Sequence, residues 1–249
     1  MRIHSIESLA ALDGEGLRCA VFLCGCPLRC VYCHNPDTWC SDAGFSMTPE
    51  ELMQKLNRFQ PYFRASGGGV TFSGGEPLLQ AGELLRLAAL LREKDIGYAL
   101  DTSGCVPLSD EVRALTANAS LVICDLKFPD SETYRRYTGG DGSFVFAYLR
   151  HLCETGKRTW VRTVIVPGLN DRDEWIARYI AALQPYLPAV ERYELLGFHT
   201  MGFYKYEQNG MDNPLKNYPP LAPERLTVLR RTAASLLRAA GGKPGICVI

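Results

Sequence analysis

Short apolar runs alternate along the chain with segments whose apolar residues recur at helical spacing. This alternation is typical of repeated βα units and predicts an α/β fold with a parallel sheet. The strand-like runs are Cys19–Leu23, Val70–Phe72, Gly97–Asp101, Leu121–Asp125, Trp160–Val166 and Tyr193–Leu196. A helix is predicted to begin at Thr48-Pro49-Glu50-Glu51, and helical patterns follow at Leu79–Lys94, Ser131–Tyr137, Phe144–Glu154, Arg172–Leu183 and Glu224–Ala240.

Polar residues and glycines cluster just after these strands. In a parallel βα barrel the active site is built at the carboxyl ends of the strands, so we expect these groups to converge there. The groups are Ser73-Gly74-Gly75-Glu76, Asp101-Thr102-Ser103-Gly104, Asp125-Leu126-Lys127 and His199.

Length and charge limit the classes of protein that the chain can represent. Its 249 residues suit a single α/β domain spanning 1–249. Lysine plus arginine equal aspartate plus glutamate at 27 each, so the charge balance gives no reason to expect a nucleic-acid or anionic-membrane partner. The sequence has neither an apolar signal-peptide core nor a spanning apolar run. We therefore expect a cytoplasmic protein with no nucleic-acid or membrane partner.

The chain has ten cysteines, and five of them fall between Cys19 and Cys33. Thiols crowded together in a reducing compartment are better explained by metal than by disulfides. Cys26, Cys30 and Cys33 form a C-x3-C-x2-C run, which is short enough to place three thiolates around one iron-sulfur cubane. Three ligands leave one iron for a small molecule that carries an amine and a carboxylate.

A structural metal site is the alternative. It would be a zinc or a fully ligated iron-sulfur site, with Cys24, Cys40 or His34 as the fourth ligand. Zinc sites usually have two C-x2-C pairs or a cysteine pair with a histidine pair. Only one C-x2-C pair is present in this sequence.

The residues after the strands suit a polar ligand. Two glycines in Ser73-Gly74-Gly75-Glu76 would let the backbone approach a ligand closely, and the carboxylate could hold an ammonium group. Asp101, Thr102, Asp125 and Lys127 suit a ribose and a zwitterion. The alternatives are a strand-to-helix turn for the glycine motif, a helix cap for each aspartate and a surface position for the lysine.

The cysteine run followed by Gly-Gly-Glu resembles the radical S-adenosylmethionine (radical SAM) superfamily. Within it, five segments resemble the activating enzymes of pyruvate formate-lyase: Asp13-Gly14-Glu15-Gly16, Tyr32-Cys33-His34-Asn35, Ala65 to Thr71, Ser73 to Glu76, and Arg162 with Val166-Pro167-Gly168. The resemblance implies a partial (β/α)6 parallel barrel, a [4Fe-4S] cluster and S-adenosylmethionine. It implies an oxidoreductase whose 5′-deoxyadenosyl radical removes hydrogen from a glycine of pyruvate formate-lyase or a related glycyl-radical enzyme. Reduced flavodoxin or ferredoxin would donate the electron.

The resemblance also implies residue roles. Cys26, Cys30 and Cys33 would ligate the cluster, and the catalytic candidate Asp13 would lie near the target glycine. A monovalent cation would be ringed by Asp101, Thr102 and Asp125. Cofactor contacts are expected from Tyr32, His34, Ser73, Gly74, Gly75, Glu76, Asp101, Thr102, Asp125, Lys127, Arg162 and His199. Arg162 lies in an apolar strand and needs a partner if buried, for which the cofactor carboxylate is one candidate.

Several alternatives remain open from the sequence. The chain could activate another glycyl-radical enzyme, act on a small molecule, or be a non-catalytic iron-sulfur carrier or redox sensor. The stretch from Cys33 to Thr48 is too short for extra ferredoxin-like clusters, which favours the pyruvate formate-lyase subgroup. The segment Thr200–Leu221 has no obvious structure and is a candidate docking loop for the partner, or else a solvated connector.

Overall fold

A computed structural model describes residues 1–242 and 246–249, which form two compact units. The first unit comprises Met1–Pro27 and Asp37–Ile123, and the second comprises Leu28–Pro36 and Cys124–Ile249. Within the described residues, no helix has the length and apolar character needed to cross a bilayer.

The first unit has three parallel strands at its centre. These are β2 (Arg18–Leu23), β4 (Gly69–Gly74) and β5 (Tyr98–Thr102), and β2 and β5 flank β4. Two further strands, β1 (Arg2–Ala10) and β3 (Phe45–Ser46), extend the sheet antiparallel beyond β2. The helices are α1 (Pro49–Leu56), α2 (Gln60–Ser66), α3 (Ala81–Glu93) and α4 (Asp110–Asn118), with 3-10 turns at Pro36–Thr38, Asn57–Phe59 and Pro77–Gln80.

The second unit pairs β7 (Thr159–Ile165), β8 (Val190–Gly197) and β9 (Cys247–Val248) in parallel. A further strand, β6 (Leu121–Asp125), is divided between the two units. The helices of the second unit are α5 (Ser131–Thr138), α6 (Gly142–Glu154), α7 (Asp173–Leu183), α8 (Phe203–Gln208) and α9 (Pro223–Ala239), with a 3-10 turn at Gln184–Ala189.

Local sequence explains why these elements form. Strands β2, β4 and β6 are buried at nearly every position, as expected for parallel strands that are covered on both faces. Helix α1 begins with a capping box, in which Thr48 Oγ1 accepts from the Glu51 N–H at 3.2 Å and Glu51 Oε2 accepts from the Thr48 N–H at 2.7 Å. Pro49 occupies the first turn, where its missing N–H has no consequence.

All six predicted strands are present, as are the helices predicted from periodicity and capping. The prediction missed β1, β3, β9, α2 and α4, and it treated α8 as part of a loop. Strand β1 is mostly half-buried or exposed, so it lacks the apolar run that identifies a buried strand. Helix α4 is capped by Ser109, whose Oγ accepts from the Val112 N–H at 3.2 Å, a signal that a search for capping residues would have found.

Candidate functional site

The carboxyl ends of β4 and β5 are joined by side-chain hydrogen bonds in the first unit. Ser73 Oγ donates to Asp101 Oδ2 at 2.8 Å, and Thr102 Oγ1 donates to Glu76 Oε1 at 2.5 Å. Two of the four groups expected to converge are therefore joined at these strand ends, in two separate pairs, Ser73 with Asp101 and Thr102 with Glu76. Because Asp101 and Thr102 are adjacent in a strand, their side chains point to opposite faces of it.

Glu76 is a fully buried carboxylate that is held by protein donors. Besides Thr102, it accepts from the Ser103 N–H at 2.9 Å, from Ser103 Oγ at 2.5 Å and from the Leu78 N–H at 3.1 Å. Burial raises the pKa of Glu76, although these hydrogen bonds oppose the rise. Its carboxylate therefore ties the end of β4 to the turn after β5, and it also caps the 3-10 turn at Pro77–Gln80.

Gly74 and Gly75 allow a close approach between two strand ends of the chain itself. Gly74 has a φ of +106°, and a Cβ at this position would lie 2.2 Å from the Leu23 nitrogen. A Cβ on Gly75 would lie 2.2 Å from the Gly25 carbonyl oxygen. The Gly75 N–H donates to the Leu23 carbonyl at 2.8 Å, and the Glu76 N–H donates to the Gly25 carbonyl at 2.7 Å. The glycine motif therefore holds the backbone immediately before Cys26.

Asp13 lies in the loop between β1 and β2, and its backbone reaches β4. The Asp13 carbonyl accepts from Thr71 Oγ1 at 2.6 Å, and buried Arg18 donates from Nε to the same hydroxyl at 2.6 Å. Thr71 and Ser73 are two residues apart on β4, so they share one face at a spacing of about 6.6 Å. The Asp13 loop thus contacts the face of β4 that carries Ser73. The contact is at Thr71, two residues nearer the amino end of the strand.

Cys30 and Cys33 occupy one tight turn in the second unit. The Cys33 N–H donates to the Cys30 carbonyl at 3.0 Å. The N–H groups of Arg29 and Val31 donate to carbonyls in the last turn of α5 at 2.7 and 3.0 Å, and so they satisfy groups that a helix end leaves unpaired. Cys30 is buried, whereas Cys33 is partly exposed.

His34 and His199 stack face to face in the second unit. Their ring centroids are 3.9 Å apart, and His34 Nε2 lies 3.0 Å from the His199 carbonyl oxygen. Burial and the neighbouring His199 lower the pKa of His34 to about 4, so its ring is neutral at pH 7. The Nδ1 atom of His199 is buried and has no hydrogen-bond partner among the described residues.

Asp125 and Lys127 form an ion pair of 2.8 Å at the end of β6. Burial alone would lower the pKa of Lys127, but Asp125, Cys30 and Tyr32 outweigh it, and the net pKa is raised well above the ordinary value. Burial raises the pKa of Tyr32, and within the described part of the chain its buried hydroxyl has no hydrogen-bond partner.

Arg162 finds its protein partner in Glu194. The Arg162 Nε to Glu194 Oε2 distance is 2.5 Å, and each side chain is about 10% exposed. Arg192 lies 3.4 Å from the other carboxylate oxygen of Glu194. Buried Arg162 was expected to need an anionic partner, and Glu194 is that partner. A contact between Arg162 and a cofactor remains a prediction.

The donors present fit the groups that the cysteine run implies. Thiols are the ligands of iron-sulfur clusters, and the cysteines of the run form no disulfide. The buried His199 Nδ1 and Tyr32 hydroxyl are polar atoms that a small polar molecule could satisfy. The fit is therefore one of donor chemistry: within residues 1–242 and 246–249 no three or more Cys, His, Asp or Glu side chains are grouped as a metal-ion site, and the three-cysteine ligand set stays a prediction from the spacing.

Three residues that support the site had no predicted role: Ser103, Glu194 and Tyr206. Ser103 stands inside the quoted Asp101-Thr102-Ser103-Gly104 motif, and Glu194 is the one charged residue of the predicted run Tyr193–Leu196, so both had a sequence signal. Tyr206 had none, because its hydroxyl donates to the carbonyl of Cys33, which is 173 residues away in the chain.

Comparisons with known proteins identify the family. The family model described as the radical SAM superfamily matches residues 21–180. The pyruvate formate-lyase-activating enzyme of Clostridium pasteurianum is 42% identical over 95% of this chain and 98% of its own length. The enzyme of the same name from Staphylococcus aureus is 38% identical over 86% of this chain and 88% of its own length.

Solved structures agree on the fold. Streptococcus suis SuiB bound to S-adenosylmethionine matches 90% of this chain and 48% of its own chain, with a TM-score of 0.67 at 13% identity. A domain of the pyruvate formate-lyase-activating enzyme from Bacteroides vulgatus matches 73% of this chain and 98% of its own chain, with a TM-score of 0.57 at 20% identity. At these identities the likeness shows the fold alone, and it confirms the predicted class, a partial (β/α)6 barrel of the radical SAM type.

The superfamily implies a [4Fe-4S] cluster and S-adenosylmethionine as cofactors. The family model covers more than half of the chain, and the Clostridium relative aligns along nearly all of it. The chain therefore belongs to the radical SAM superfamily, in the family of the pyruvate formate-lyase-activating enzymes.

Proposed function

We propose that this chain activates a glycyl-radical enzyme, and that its partner is pyruvate formate-lyase. The observation that carries the proposal is the 42% identity to the Clostridium enzyme over 95% of the chain. When bound, the cluster and S-adenosylmethionine would supply the radical that takes hydrogen from a glycine of the partner. We also propose that residues 1–249 act as a single radical SAM domain.

The chain's own residues would bind and orient these groups. Cys26, Cys30 and Cys33 would ligate the cluster. The buried Nδ1 of His199 would find its missing partner in the cofactor, as would the Tyr32 hydroxyl. The Asp125 and Lys127 pair, which carries both signs of charge within 2.8 Å, suits a zwitterionic amino-acid group.

The first unit would supply the remaining contacts. Ser73 and Asp101 offer oxygen atoms at the strand ends, and the backbone of Gly74 and Gly75 would face the amino group of the cofactor. Glu76 would act by holding these residues in place, because its carboxylate is already bound by four protein donors. His34 would contact the cofactor as a neutral ring, and Arg162 would be a further cofactor contact.

Three further parts of the proposal concern Asp13, a monovalent cation and the electron donor. Asp13 would lie near the partner's glycine, and a loop that reaches the Ser73 face of β4 supports this role. A monovalent cation would bind beside Asp101, Thr102 and Asp125. Reduced flavodoxin or ferredoxin would supply the electron in a cytoplasmic setting.

The test is an anaerobic activation assay. The cluster is reconstituted and reduced, and S-adenosylmethionine is added with and without purified pyruvate formate-lyase. The products measured are 5′-deoxyadenosine, by chromatography, and a glycyl radical, by electron paramagnetic resonance. The control is the Cys33→Ala variant, which we expect to form neither product because the cluster lacks one of its three thiolates.

The outcomes separate the functions that the sequence leaves open. Both products rising with the partner would support the proposal. Deoxyadenosine without a glycyl radical would indicate radical chemistry on another protein or a small molecule. Neither product from an intact, reduced cluster would indicate an iron-sulfur carrier or a redox sensor.

A further inference from the structure

Helix α8 binds the segment that leaves the cysteine turn, which we call the exit segment (Cys33, His34 and Asn35). The hydroxyl of Tyr206 donates to the carbonyl oxygen of Cys33 at 2.9 Å. Lys205 Nζ donates to Asn35 Oδ1 at 2.7 Å. These partners are separated by 173 and 170 residues in the sequence, so the contacts are made by the tertiary fold and not by local structure.

The approach of α8 to the exit segment is close and leaves little freedom. A Cβ on Gly202, the residue before α8, would lie 2.7 Å from the His34 carbonyl oxygen, so a larger residue there would push the two segments apart. Tyr206 is 1% exposed. The ring of His34 also stacks on the ring of His199, with 3.9 Å between their centroids. The exit segment is therefore held at three consecutive residues.

The carbonyl that Tyr206 holds belongs to the last cysteine of the run. Fixing a residue's carbonyl limits rotation of the backbone on that side of its Cα, and this in turn limits where its Sγ can point. The other side of Cys33 is limited by its own N–H, which donates to Cys30. The cysteine is thus restrained on both sides, by the turn before it and by α8 after it.

We propose that Tyr206 is a positioning residue that holds Cys33 in place for cluster binding, and that Lys205 restrains the segment beyond it. The proposal rests on the proposed function in one respect, namely that Cys33 is a cluster ligand. It assigns to α8 a role in cluster retention that is separate from any contact with the partner enzyme.

The test measures cluster retention in the reconstituted protein. Wild type and Tyr206→Phe are reconstituted anaerobically, their iron and sulfide are counted, and the cluster absorbance is followed after addition of an iron chelator. Removing one net hydrogen bond predicts chelation faster on the order of threefold to tenfold. The urea midpoint of each protein is measured in parallel.

Two variants serve as matched controls. Tyr193→Phe removes another buried hydroxyl of the second unit, which donates to Thr163 Oγ1 at 3.1 Å in β7. Tyr204→Phe makes the same change on α8 at a side chain that is 55% exposed. We expect both controls to lose iron at the wild-type rate. Lys205→Met, which removes the bond to Asn35, is a second test variant, and we expect it to lose iron faster than wild type.

Each result decides the matter. Faster iron loss in Tyr206→Phe, without the same change in Tyr193→Phe, would support the role of Tyr206. Wild-type retention in Tyr206→Phe would overturn it, and so would equal acceleration in Tyr193→Phe, since the effect would then be general destabilisation. A wild-type protein that takes up no cluster would overturn the proposed function together with this inference, whereas the first two failures leave the proposed function intact.

Discussion

Replacing Glu76 with glutamine tests whether its carboxylate holds the ends of β4 and β5 together. Each carboxylate oxygen accepts one backbone N–H, from Leu78 on Oε1 and from Ser103 on Oε2. An amide has a single oxygen, so in Glu76→Gln one of these N–H groups must face an NH₂ group. The hydroxyls of Thr102 and Ser103 can rotate to accept, but a backbone N–H cannot.

An unsatisfied buried donor costs about 1–3 kcal/mol, and we expect Glu76→Gln to lower the free energy of unfolding by that amount. At neutral pH the loss of the charge partly offsets this loss of stability. Burial raises the pKa of Glu76, which means that the folded protein disfavours the charged form of this side chain. A carboxyl whose pKa is raised by folding contributes its full stability below the unfolded pKa of about 4.3, and this contribution is lost as the pH rises through the folded pKa. The difference between wild type and variant should therefore be largest near pH 4 and narrow toward neutral pH.

The assay is urea unfolding of the cluster-free protein, followed by the fluorescence of its three tryptophans at several pH values. Glu93→Gln is the matched control, because Glu93 is exposed on α3 of the same unit, and it should change the unfolding free energy by less than about 0.5 kcal/mol. If Glu76→Gln were as stable as wild type, or if the difference widened as the pH rose, the hydrogen-bond argument would be wrong.

Three further predictions concern the cysteines, the buried ion pair and the glycine motif. Cys30→Ala should abolish the iron-sulfur absorbance and deoxyadenosine formation, whereas Cys40→Ala should keep a four-iron cluster; loss of the cluster in Cys40→Ala would favour the structural-metal alternative. Arg162→Met should lower the unfolding free energy by about 3 kcal/mol, because Glu194 is left buried without its main partner, and Arg162→Met with Glu194→Leu should recover most of that loss in urea unfolding. Gly74→Ala should lower the yield of folded protein, measured by gel filtration, because its Cβ would lie 2.2 Å from the backbone of β2; a well-folded variant would show that the strand ends can separate.

Much of the fold could be predicted because it depends on local patterns. The six buried strands show as apolar runs, and α1 shows as a capping box, since both signals lie within a few consecutive residues. Strand β1 was not predicted because it has no continuous apolar face. It is stabilised instead by pairing with β2 and β3. Helix α8 escaped prediction because it is only six residues long, and so short a helix depends on tertiary contacts for its stability.

The sequence by itself determined the chemistry of this protein: the spacing of Cys26, Cys30 and Cys33, the glycine motif after the next strand, and the family that they identify. Only the tertiary structure decided how individual side chains are used. Glu76 is directed at Ser103 and Thr102, Arg162 is neutralised by Glu194, and Gly74 and Gly75 accommodate β2. The physical reason is that a ligand set close in sequence is visible as a motif, whereas a buried polar group takes whichever partner the packing of distant strands brings within hydrogen-bond distance.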